Sequence, residues 1–217
     1  MKLFHINHDK TRLLIFFCGF YTNAESFAEF DNATSDILFV YDYSDLDFSE
    51  LEYFDFSFYA EINLIAYSWG VFAANIGSGF LPPLDKKVAI SGTIFPIHDT
   101  YGIPLKIVDL MLNNFNEDVV LNFKNKMELN SNCNIKAVKR TVENLKEEMI
   151  SIKNYVLSHE IRESLNFDFV VITKKDKIFS YKNQINFWAG HNNILELDMG
   201  HFPFFYFENF DKILEYC

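Results

Sequence analysis

The sequence predicts an α/β fold built on a mostly parallel sheet. Strand-like apolar runs alternate with helical or loop segments near both ends of the 217-residue chain, a pattern typical of parallel sheets. These runs are Leu13–Phe20, Ile37–Tyr41, Ile62–Ala66, Phe167–Thr173 and Ile194–Leu197. The residues between the third and fourth of these runs show helical periodicity in their second half, so we expect inserted helices there.

The inserted segment runs from Pro104 to about residue 165. Its apolar residues recur every three or four positions at Val138, Val142, Leu145, Met149, Ile152 and Val156, which predicts a long helix with one apolar stripe. Asn116 is a predicted helix cap and Pro104 a predicted helix start. We therefore expect a helical lid over residues 104–165 and a core of residues 1–103 and 166–217. A helical hairpin packed on the flank of the core is the alternative.

The cover of the sheet is expected to be reduced between the second and third strand-like runs. Only about twenty residues separate Tyr41 from Ile62, and aromatic and acidic residues alternate there without helical periodicity. We expect a loop, or a short turn of helix around Ser49–Tyr53, in place of a full flanking helix.

A candidate nucleophile lies where a strand-like run meets a helix-like run. The segment Ala66-Tyr67-Ser68-Trp69-Gly70 resembles a nucleophile elbow, a strained strand-to-helix turn that needs small residues two positions before and after the serine. The segment therefore indicates a nucleophilic Ser68, with Ala66 in place of the usual first glycine. Taken alone, the pattern fits the start of a buried helix equally well.

A serine of this type needs a histidine base and an acid that follow it in the order Ser, Asp, His. Asp176 follows the penultimate strand-like run, and His201 follows the last one. Asp198 and Asp42 remain alternative acids. Asp198 is close to His201 along the chain and Asp42 follows an early strand, so Asp176 is preferred.

An oxyanion hole would complete such a site. Backbone N–H groups after the nucleophile and after an earlier strand usually form it. Trp69 follows Ser68, and Phe20 follows Gly19 at the end of the first strong strand. We predict the N–H groups of Phe20 and Trp69 as the two donors. An ordinary glycine turn at Gly19 is the alternative.

The composition indicates one globular domain. The 25 Phe and 11 Tyr residues offer ample apolar surface for a core. No apolar run reaches the roughly 18 to 20 residues that span a bilayer, and the first residues lack a signal-peptide pattern, so we expect a cytoplasmic protein without a membrane partner. The scattered Cys18, Cys133 and Cys217 predict reduced thiols and no metal site.

The net charge of −11 argues against a nucleic-acid partner, because the phosphate backbone would be repelled. Residues 122–153 form the one basic island, with 7 Lys and Arg against 4 Asp and Glu. This island, including Lys124, Lys139 and Arg140, is a candidate docking surface for a small acidic protein. An ordinary solvated helix face is the alternative.

Nearly the whole chain resembles the pimeloyl-[acyl-carrier protein] methyl ester esterases of the BioG type. The matching stretches are Leu14–Phe20, Tyr41–Leu46, Ala66–Val71, Ser91–Asp99, Tyr101–Pro104, Lys175–Phe179 with Asn183 and Gln184, and Gly200–Pro203. Cys18 and Phe20 depart from the Ala and Trp that often flank Gly19 in the family. The Ser91–Asp99 and Tyr101–Pro104 stretches are far more specific than the elbow.

The resemblance implies an α/β-hydrolase with a helical lid that frees the ω-carboxylate of pimeloyl-acyl-carrier protein for biotin synthesis. The family's Ser, Asp and His fall on Ser68, Asp176 and His201, no cofactor is required, and the acyl-carrier protein is the partner. The acyl chain would be surrounded by Phe20, Trp69, Phe115, Phe123 and Leu145. The alternatives are a general carboxylesterase, an acyl thioesterase, and a non-catalytic binding module for acyl carriers.

Overall fold

The computed structural model describes residues 1–131, 135, 136 and 138–217. In this part of the chain the sheet has seven strands in the order β1-β3-β2-β4-β5-β6-β7. The strands are β1 (Lys2–Ile6), β2 (Arg12–Phe17), β3 (Asp36–Tyr41), β4 (Glu61–Tyr67), β5 (Lys86–Ile90), β6 (Phe169–Thr173) and β7 (Ile194–Leu197). β1 pairs antiparallel with β3, and all the other pairs are parallel. The predicted mostly parallel α/β sheet is confirmed.

Six α-helices, three of which form one insertion, lie between or after the strands in the described part of the chain. They are α1 (Trp69–Ile76), α2 (Leu105–Asn113), α3 (Glu117–Glu128), α4 (Val142–Ser158), α5 (Tyr181–Trp188) and α6 (Phe210–Leu214). α2, α3 and α4 all lie between β5 and β6, as the change of periodicity predicted. Short 3₁₀ segments at Ser49–Tyr53 and Phe56–Phe58 replace a helix between β3 and β4, so the predicted reduction in flanking helices is also confirmed.

An aromatic layer covers one face of the central strands. The ring of Phe16 on β2 lies within 4.5–5.8 Å of four other phenylalanine rings, those of Phe27, Phe39, Phe204 and Phe210. All five side chains are buried. Tilted and edge-on ring pairs of this kind add to the free energy gained by burying apolar area, and they account for the high phenylalanine content. Residues from both ends of the chain therefore share one core.

The strand and helix limits differ from the sequence prediction in three places. β1 was not predicted, because it is an edge strand whose residues are all exposed or half-buried, which leaves a weak apolar pattern. β2 ends at Phe17, before the glycine turn. α4 begins at Val142, since the Thr141 side chain accepts a hydrogen bond from the Asn144 N–H and caps the helix there. Val138 is buried but precedes the helix.

Two predicted starts of inserted helices agree with the structure. The Asn116 side chain accepts a hydrogen bond from the Val119 N–H at 3.0 Å and caps α3, and two acidic residues occupy the first turn of that helix. Pro104 directly precedes α2 as its cap residue. Local capping chemistry therefore fixes where α3 begins, whereas α2 begins after the fixed backbone of Pro104 without a side-chain cap.

Tight packing of main chain surrounds the turn from β4 into α1. A Cβ atom at Gly70 would lie 2.2 Å from the carbonyl oxygen of Phe17, at the end of β2. Since Cβ atoms do not approach backbone oxygens so closely, α1 can begin beside β2 only with glycine at this position.

Replacing Gly70 by alanine should lower the free energy of unfolding by about 1–3 kcal/mol, because the methyl group must push α1 away from β2. Urea denaturation followed by circular dichroism measures the change. Gly79→Ala is the matched control, since a Cβ there has no heavy atom within 4 Å, and it should change the stability by less than about 0.5 kcal/mol. Equal stability of the two variants would contradict the packing argument.

Candidate active site

Ser68 lies at the point where three strand ends meet. It occupies the turn between β4 and α1 with φ 55° and ψ −121°, a strained conformation for a residue with a side chain. Its N–H donates to the Ile90 carbonyl at the end of β5 at 2.8 Å. Cβ atoms at Gly19 and Gly92 would lie 2.8 Å and 2.3 Å from Ser68 atoms. The turns after β2 and β5 therefore press against Ser68 from both sides.

A hydrogen-bonded chain joins Ser68, His201 and Asp176. His201 Nε2 lies 2.9 Å from Ser68 Oγ, and His201 Nδ1 lies 2.7 Å from Asp176 Oδ2. A carboxylate only accepts hydrogen bonds, so Nδ1 carries the proton and Nε2 is left to accept from the serine hydroxyl. The exposed fractions of the three residues are only 3%, 1% and 7% in that order. The structure thus brings together the three residues chosen from the sequence.

The Asp176 carboxylate is held by four further donors. Oδ1 accepts from the N–H groups of Ile178 and Phe179 at 2.8 and 2.9 Å. Oδ2 accepts from the Thr173 hydroxyl and from Gln184 Nε2, each at 3.1 Å. Gln184 is fully buried on α5, and its Nε2 also donates to the Phe179 carbonyl. The orientation of this carboxylate toward His201 is therefore fixed by its own turn and by α5.

Sequence reasoning assigned no role to Thr173 or Gln184. A polar residue at the end of a buried strand, just before Asp176, was the available signal for Thr173. Gln184 had a weaker signal, because one amide in a helix carries no mark of burial in the sequence.

The two alternative acids bind other partners. Asp198 is exposed and accepts from Lys175 Nζ at 2.7 Å. Asp42 is buried at the end of β3, where it accepts from Arg140 Nη2 at 2.7 Å and from the Ser44 hydroxyl at 2.6 Å. Within the described residues, neither carboxylate contacts His201.

Both predicted oxyanion donors lie near Ser68. Trp69 is the next residue in the chain, and Phe20 belongs to the turn that packs against Ser68. Trp69 is the first residue of α1, so its N–H has no acceptor one turn earlier in the helix. Phe20 follows Gly19, which packs against Ser68, and no acceptor for the Phe20 N–H exists among residues 1–131, 135, 136 and 138–217. Both amides are therefore available to a bound oxygen atom.

Three of the five predicted pocket residues form an aromatic cluster beside the serine. The Phe20 ring lies 5.1 Å from Trp69 and 5.0 Å, edge-on, from Phe123 of α3. Trp69 is 2% exposed, and its indole N–H has no acceptor in the described part of the chain. Phe115 is half-buried in the loop between α2 and α3, and Leu145 is buried on α4. The Phe115 ring does not pair with the rings of the cluster.

The prediction that Arg140 docks a carrier protein is wrong. Its side chain is only 6% exposed, and it donates to Asp42 at 2.7 Å and to Glu148 of α4 at 2.6 Å. The sequence could not show that a buried carboxylate from the end of β3 and another from α4 surround this guanidinium. Arg140 is an internal tie between the inserted helices and the sheet.

The other two predicted docking lysines are nearer the surface. Lys139 is 85% exposed, with Glu25 at 3.6 Å. Lys124 is 19% exposed and pairs with Glu128 one turn later on α3 at 3.2 Å. Lys139 is thus free to meet a partner, whereas Lys124 is largely occupied within its own helix.

Burial and charge shift the two carboxyls around Arg140 in opposite directions. Burial raises the pKa of Glu148 above its usual value, against the opposing charge and hydrogen bond of Arg140. Burial also raises the pKa of Asp42, but hydrogen bonds from Lys2 and Ser44 and the charge of Arg140 outweigh it, so that pKa lies below its usual value. Arg140 therefore favours the ionised form of both carboxyls.

A family model described as "Pimeloyl-ACP methyl esterase BioG" matches residues 1–213. The chain belongs to the BioG family. A Bacteroides fragilis relative named malonyl-[acyl-carrier protein] O-methyltransferase is 34% identical over 199 residues, which is 87% of this chain but only 39% of that protein. This chain therefore spans well under half the length of that relative.

Solved structures agree with the family assignment. BioG from Haemophilus influenzae matches with a TM-score of 0.85 at 25% identity, over 97% of this chain and 98% of that chain. An esterase from Exiguobacterium antarcticum matches with a TM-score of 0.69 at 11% identity, over 99% of this chain and 94% of that chain. The α/β-hydrolase fold is confirmed.

The described residues contain neither a cluster of metal ligands nor a membrane-spanning helix. No group of three or more His, Cys, Asp or Glu side chains in this part of the chain is arranged to hold a metal ion. None of its helices is long and apolar enough to cross a membrane. Cys133 lies outside the described residues, and Cys18 and Cys217 are free thiols.

Replacing Arg140 by methionine should lower the free energy of unfolding by about 3–5 kcal/mol at pH 7, because the buried Glu148 loses its counter-charge and Asp42 keeps only Lys2 as a charged partner among the described residues. Because the pKa of Glu148 is raised in the folded state, protonated Glu148 favours folding. Its contribution to the free energy of unfolding is lost as the pH rises. The lowered pKa of Asp42 gives a contribution that is lost as the pH falls. Without Arg140, ionised Glu148 destabilises the folded state more at neutral pH, and ionised Asp42 stabilises it less.

The deficit of Arg140→Met should therefore narrow as the pH falls from 7 toward 4, because protonation removes negative charge that the variant leaves without its guanidinium. Urea unfolding at several pH values measures it. Lys139→Met, an exposed neighbour, is the control and should stay within about 0.5 kcal/mol of the parent throughout. A deficit that is independent of pH would count against the electrostatic role of Arg140.

Proposed function

We propose that this BioG-family chain is a serine esterase that hydrolyses the methyl ester of pimeloyl-acyl-carrier protein. The chain of hydrogen bonds from Asp176 through His201 to Ser68, with lengths of 2.7 and 2.9 Å, is the observation that carries this proposal. A serine hydroxyl within reach of an oriented imidazole is the arrangement that nucleophilic ester hydrolysis needs.

Two comparisons support the choice of substrate. The family model carries the name of a pimeloyl-ACP methyl esterase. The Bacteroides fragilis relative is named for transferring a methyl group to an acid on an acyl-carrier protein, and such a transfer produces a carrier-linked methyl ester. Hydrolysis of that class of ester removes the methyl group that such a transfer adds. Both names therefore favour a carrier-bound methyl ester as the substrate class.

The first half of the proposed reaction forms an acyl-enzyme. His201 Nε2 takes the Ser68 proton as Oγ attacks the ester carbonyl, and Asp176 stabilises the imidazolium that results. The N–H groups of Phe20 and Trp69 donate to the carbonyl oxygen as it becomes negative. His201 then gives its proton to the leaving methoxide oxygen. Methanol departs, and the acyl group stays on Ser68.

The second half releases the acid. A water molecule gives a proton to His201 Nε2 while its oxygen attacks the acyl carbonyl, with the same two N–H donors at the oxyanion. Collapse of this intermediate breaks the bond to Ser68 Oγ, which recovers its proton from His201. The product is the free ω-carboxylic acid, still attached to its carrier. These side chains supply every proton transfer, so the mechanism requires no cofactor.

We also propose that residues 104–165 form a lid over a core of residues 1–103 and 166–217. Two observations support this division. The three inserted helices lie between β5 and β6 in the chain, and the turn of Asp176 directly follows β6. Ser68 and His201 are almost fully buried, so a substrate can reach them only if a covering segment moves.

The acyl-carrier protein is the proposed partner, and Lys139 and Lys124 remain proposed docking residues. Acyl-carrier proteins are acidic, so exposed lysines on the inserted segment would raise the rate of encounter. Lys139 is the stronger of the two because it is far more exposed.

The products of methyl pimeloyl-acyl-carrier protein hydrolysis test the proposed substrate. We expect methanol to appear while the thiol of the carrier stays acylated, which is measured by mass spectrometry of the carrier and by an enzymatic methanol assay. Release of the free carrier thiol instead would indicate a thioesterase. Tight binding of the carrier ester without either product would indicate a non-catalytic binding module.

Ser68→Ala should reduce kcat for this ester by about 10⁴-fold or more, because the nucleophile is absent while the fold is kept. The parent should also react covalently with a fluorophosphonate at Ser68, detected as a mass increase on the peptide that contains it. A variant that keeps at least a tenth of the parent's activity would refute the assignment of the nucleophile.

Asp176→Asn should reduce kcat by about 10³–10⁴-fold, because an amide neither orients His201 in the right tautomer nor stabilises its positive charge. Asp198→Asn is the matched control and should stay within twofold of the parent, since Asp198 pairs with Lys175 at the surface. Steady-state kinetics on the carrier ester measures both. A larger loss in Asp198→Asn would reassign the acid.

A further inference from the structure

A small apolar cavity lies between the inserted helices and the segment that follows β6. Its volume is about 60 Å³. The apolar part of its wall consists of Ile103, Ile107, Met111, Val119, Phe123 and Ile178. Phe123 is the one member of this wall that the sequence placed in the substrate pocket.

Two opposite walls of the cavity touch the proposed catalytic residues. Phe123 packs edge-on against Phe20 at 5.0 Å, and Phe20 in turn lies 5.1 Å from Trp69, which follows the serine. On the other side, the N–H of Ile178 donates to Asp176 Oδ1 at 2.8 Å. Two residues of the cavity wall, Phe123 and Ile178, therefore contact groups of the proposed active site.

Asn122 and two exposed lysines complete the lining. Lys126 comes from α3, and Lys177 comes from the turn that carries Asp176. Neither forms an ion pair within the described residues, whereas the nearby Lys174 and Lys175 pair with Glu196 and Asp198. In a chain of net charge −11, two uncompensated cations at one opening create a local positive site.

We propose that this cavity is the channel for the acyl chain, and that Lys126 and Lys177 bind the phosphate of the carrier's prosthetic arm at its outer end. This proposal rests on the esterase function proposed above. It adds the route of the acyl chain and the position of the phosphate. The ester must reach Ser68 while the carrier stays outside, so the substrate needs an apolar passage with an anion site at its mouth. The cavity offers both features along one wall.

The channel must widen to accept a substrate, because 60 Å³ is well below the roughly 300 Å³ of a typical small-molecule site. The helices on either side are lightly anchored. Val108 is the only buried residue of α2, and Phe123 and Met127 are the only ones of α3. Segments with few buried contacts open at low cost in free energy, so separation of α2 from α3 can widen the channel.

Filling the wall tests the passage. Met111→Trp should lower kcat/KM for methyl pimeloyl-pantetheine phosphate at least tenfold relative to kcat/KM for p-nitrophenyl acetate, whose two-carbon acyl group does not extend into the channel. Leu110→Trp is the matched control, since Leu110 is the preceding residue of α2, is 61% exposed and does not line the cavity. It should leave the ratio within twofold of the parent. An unchanged ratio in Met111→Trp would overturn the channel.

Removing the positive charges tests the mouth of the channel without altering the core. The double variant Lys126→Gln, Lys177→Gln should raise KM about five- to tenfold for methyl pimeloyl-pantetheine phosphate, the loss expected for two exposed ion pairs. KM for the same ester lacking the phosphate should not change. Lys182→Gln, with Lys182 exposed on α5 and outside the cavity lining, is the control and should affect neither.

The outcomes separate this inference from the function on which it rests. Equal KM changes on the two pantetheine esters, or none on either, would overturn the phosphate site while methanol release by the parent still supports the esterase. A KM change seen only with the whole carrier protein would mean that the lysines meet the carrier's surface and not its arm. A parent enzyme that releases no methanol from either ester would refute the esterase itself.

Discussion

Close packing of main chain around Ser68 is the constraint on which the rest of the site depends. Gly19 and Gly92 press on the serine from the turns after β2 and β5, and Gly70 lets α1 begin against the end of β2. A side chain at any of these three positions would occupy space already filled by other atoms. The parallel order of the strands places the turn of Asp176 and the loop of His201 on the same edge of the sheet. The hydrogen-bonded chain can therefore form without long or mobile connections.

A buried polar cluster links this edge to the inserted helices. Arg140 ties the end of β3 to α4 through Asp42 and Glu148. Glu148 also accepts from the Tyr43 N–H at 3.2 Å, and the Tyr43 hydroxyl donates to the Cys18 carbonyl at 2.8 Å. Cys18 immediately precedes the glycine turn that carries the proposed Phe20 donor. One hydrogen-bonded network thus positions both α4 and the loop beside the serine. A structural change in either can therefore alter the position of the other.

The sequence predicted the features that depend on local pattern. Five of the seven strands, β2, β3, β4, β6 and β7, appear as apolar runs. Asn116 identifies the start of α3 through its side-chain cap. The order of Ser68, Asp176 and His201 follows from where strands end. Features set by distant partners could not be predicted. Arg140 was taken as a surface charge because nothing in its neighbourhood reveals Asp42, 98 positions away. The cavity between α2 and α3 depends on how lightly those helices pack, which periodicity does not report.

Both tryptophans of the chain are placed at the two sides of the serine turn. Trp69 follows Ser68 directly, and the indole N–H of Trp188 donates at 2.9 Å to the carbonyl of Gly92, in the turn after β5 that packs against Ser68. Trp69 is buried among aromatic rings, with its N–H lacking an acceptor in the described residues. A polar atom that arrives beside it changes the surroundings of an indole that is otherwise in an apolar setting. The intrinsic fluorescence of the unlabelled protein is thereby an optical record of what occupies this one site, with no tryptophan elsewhere to obscure it.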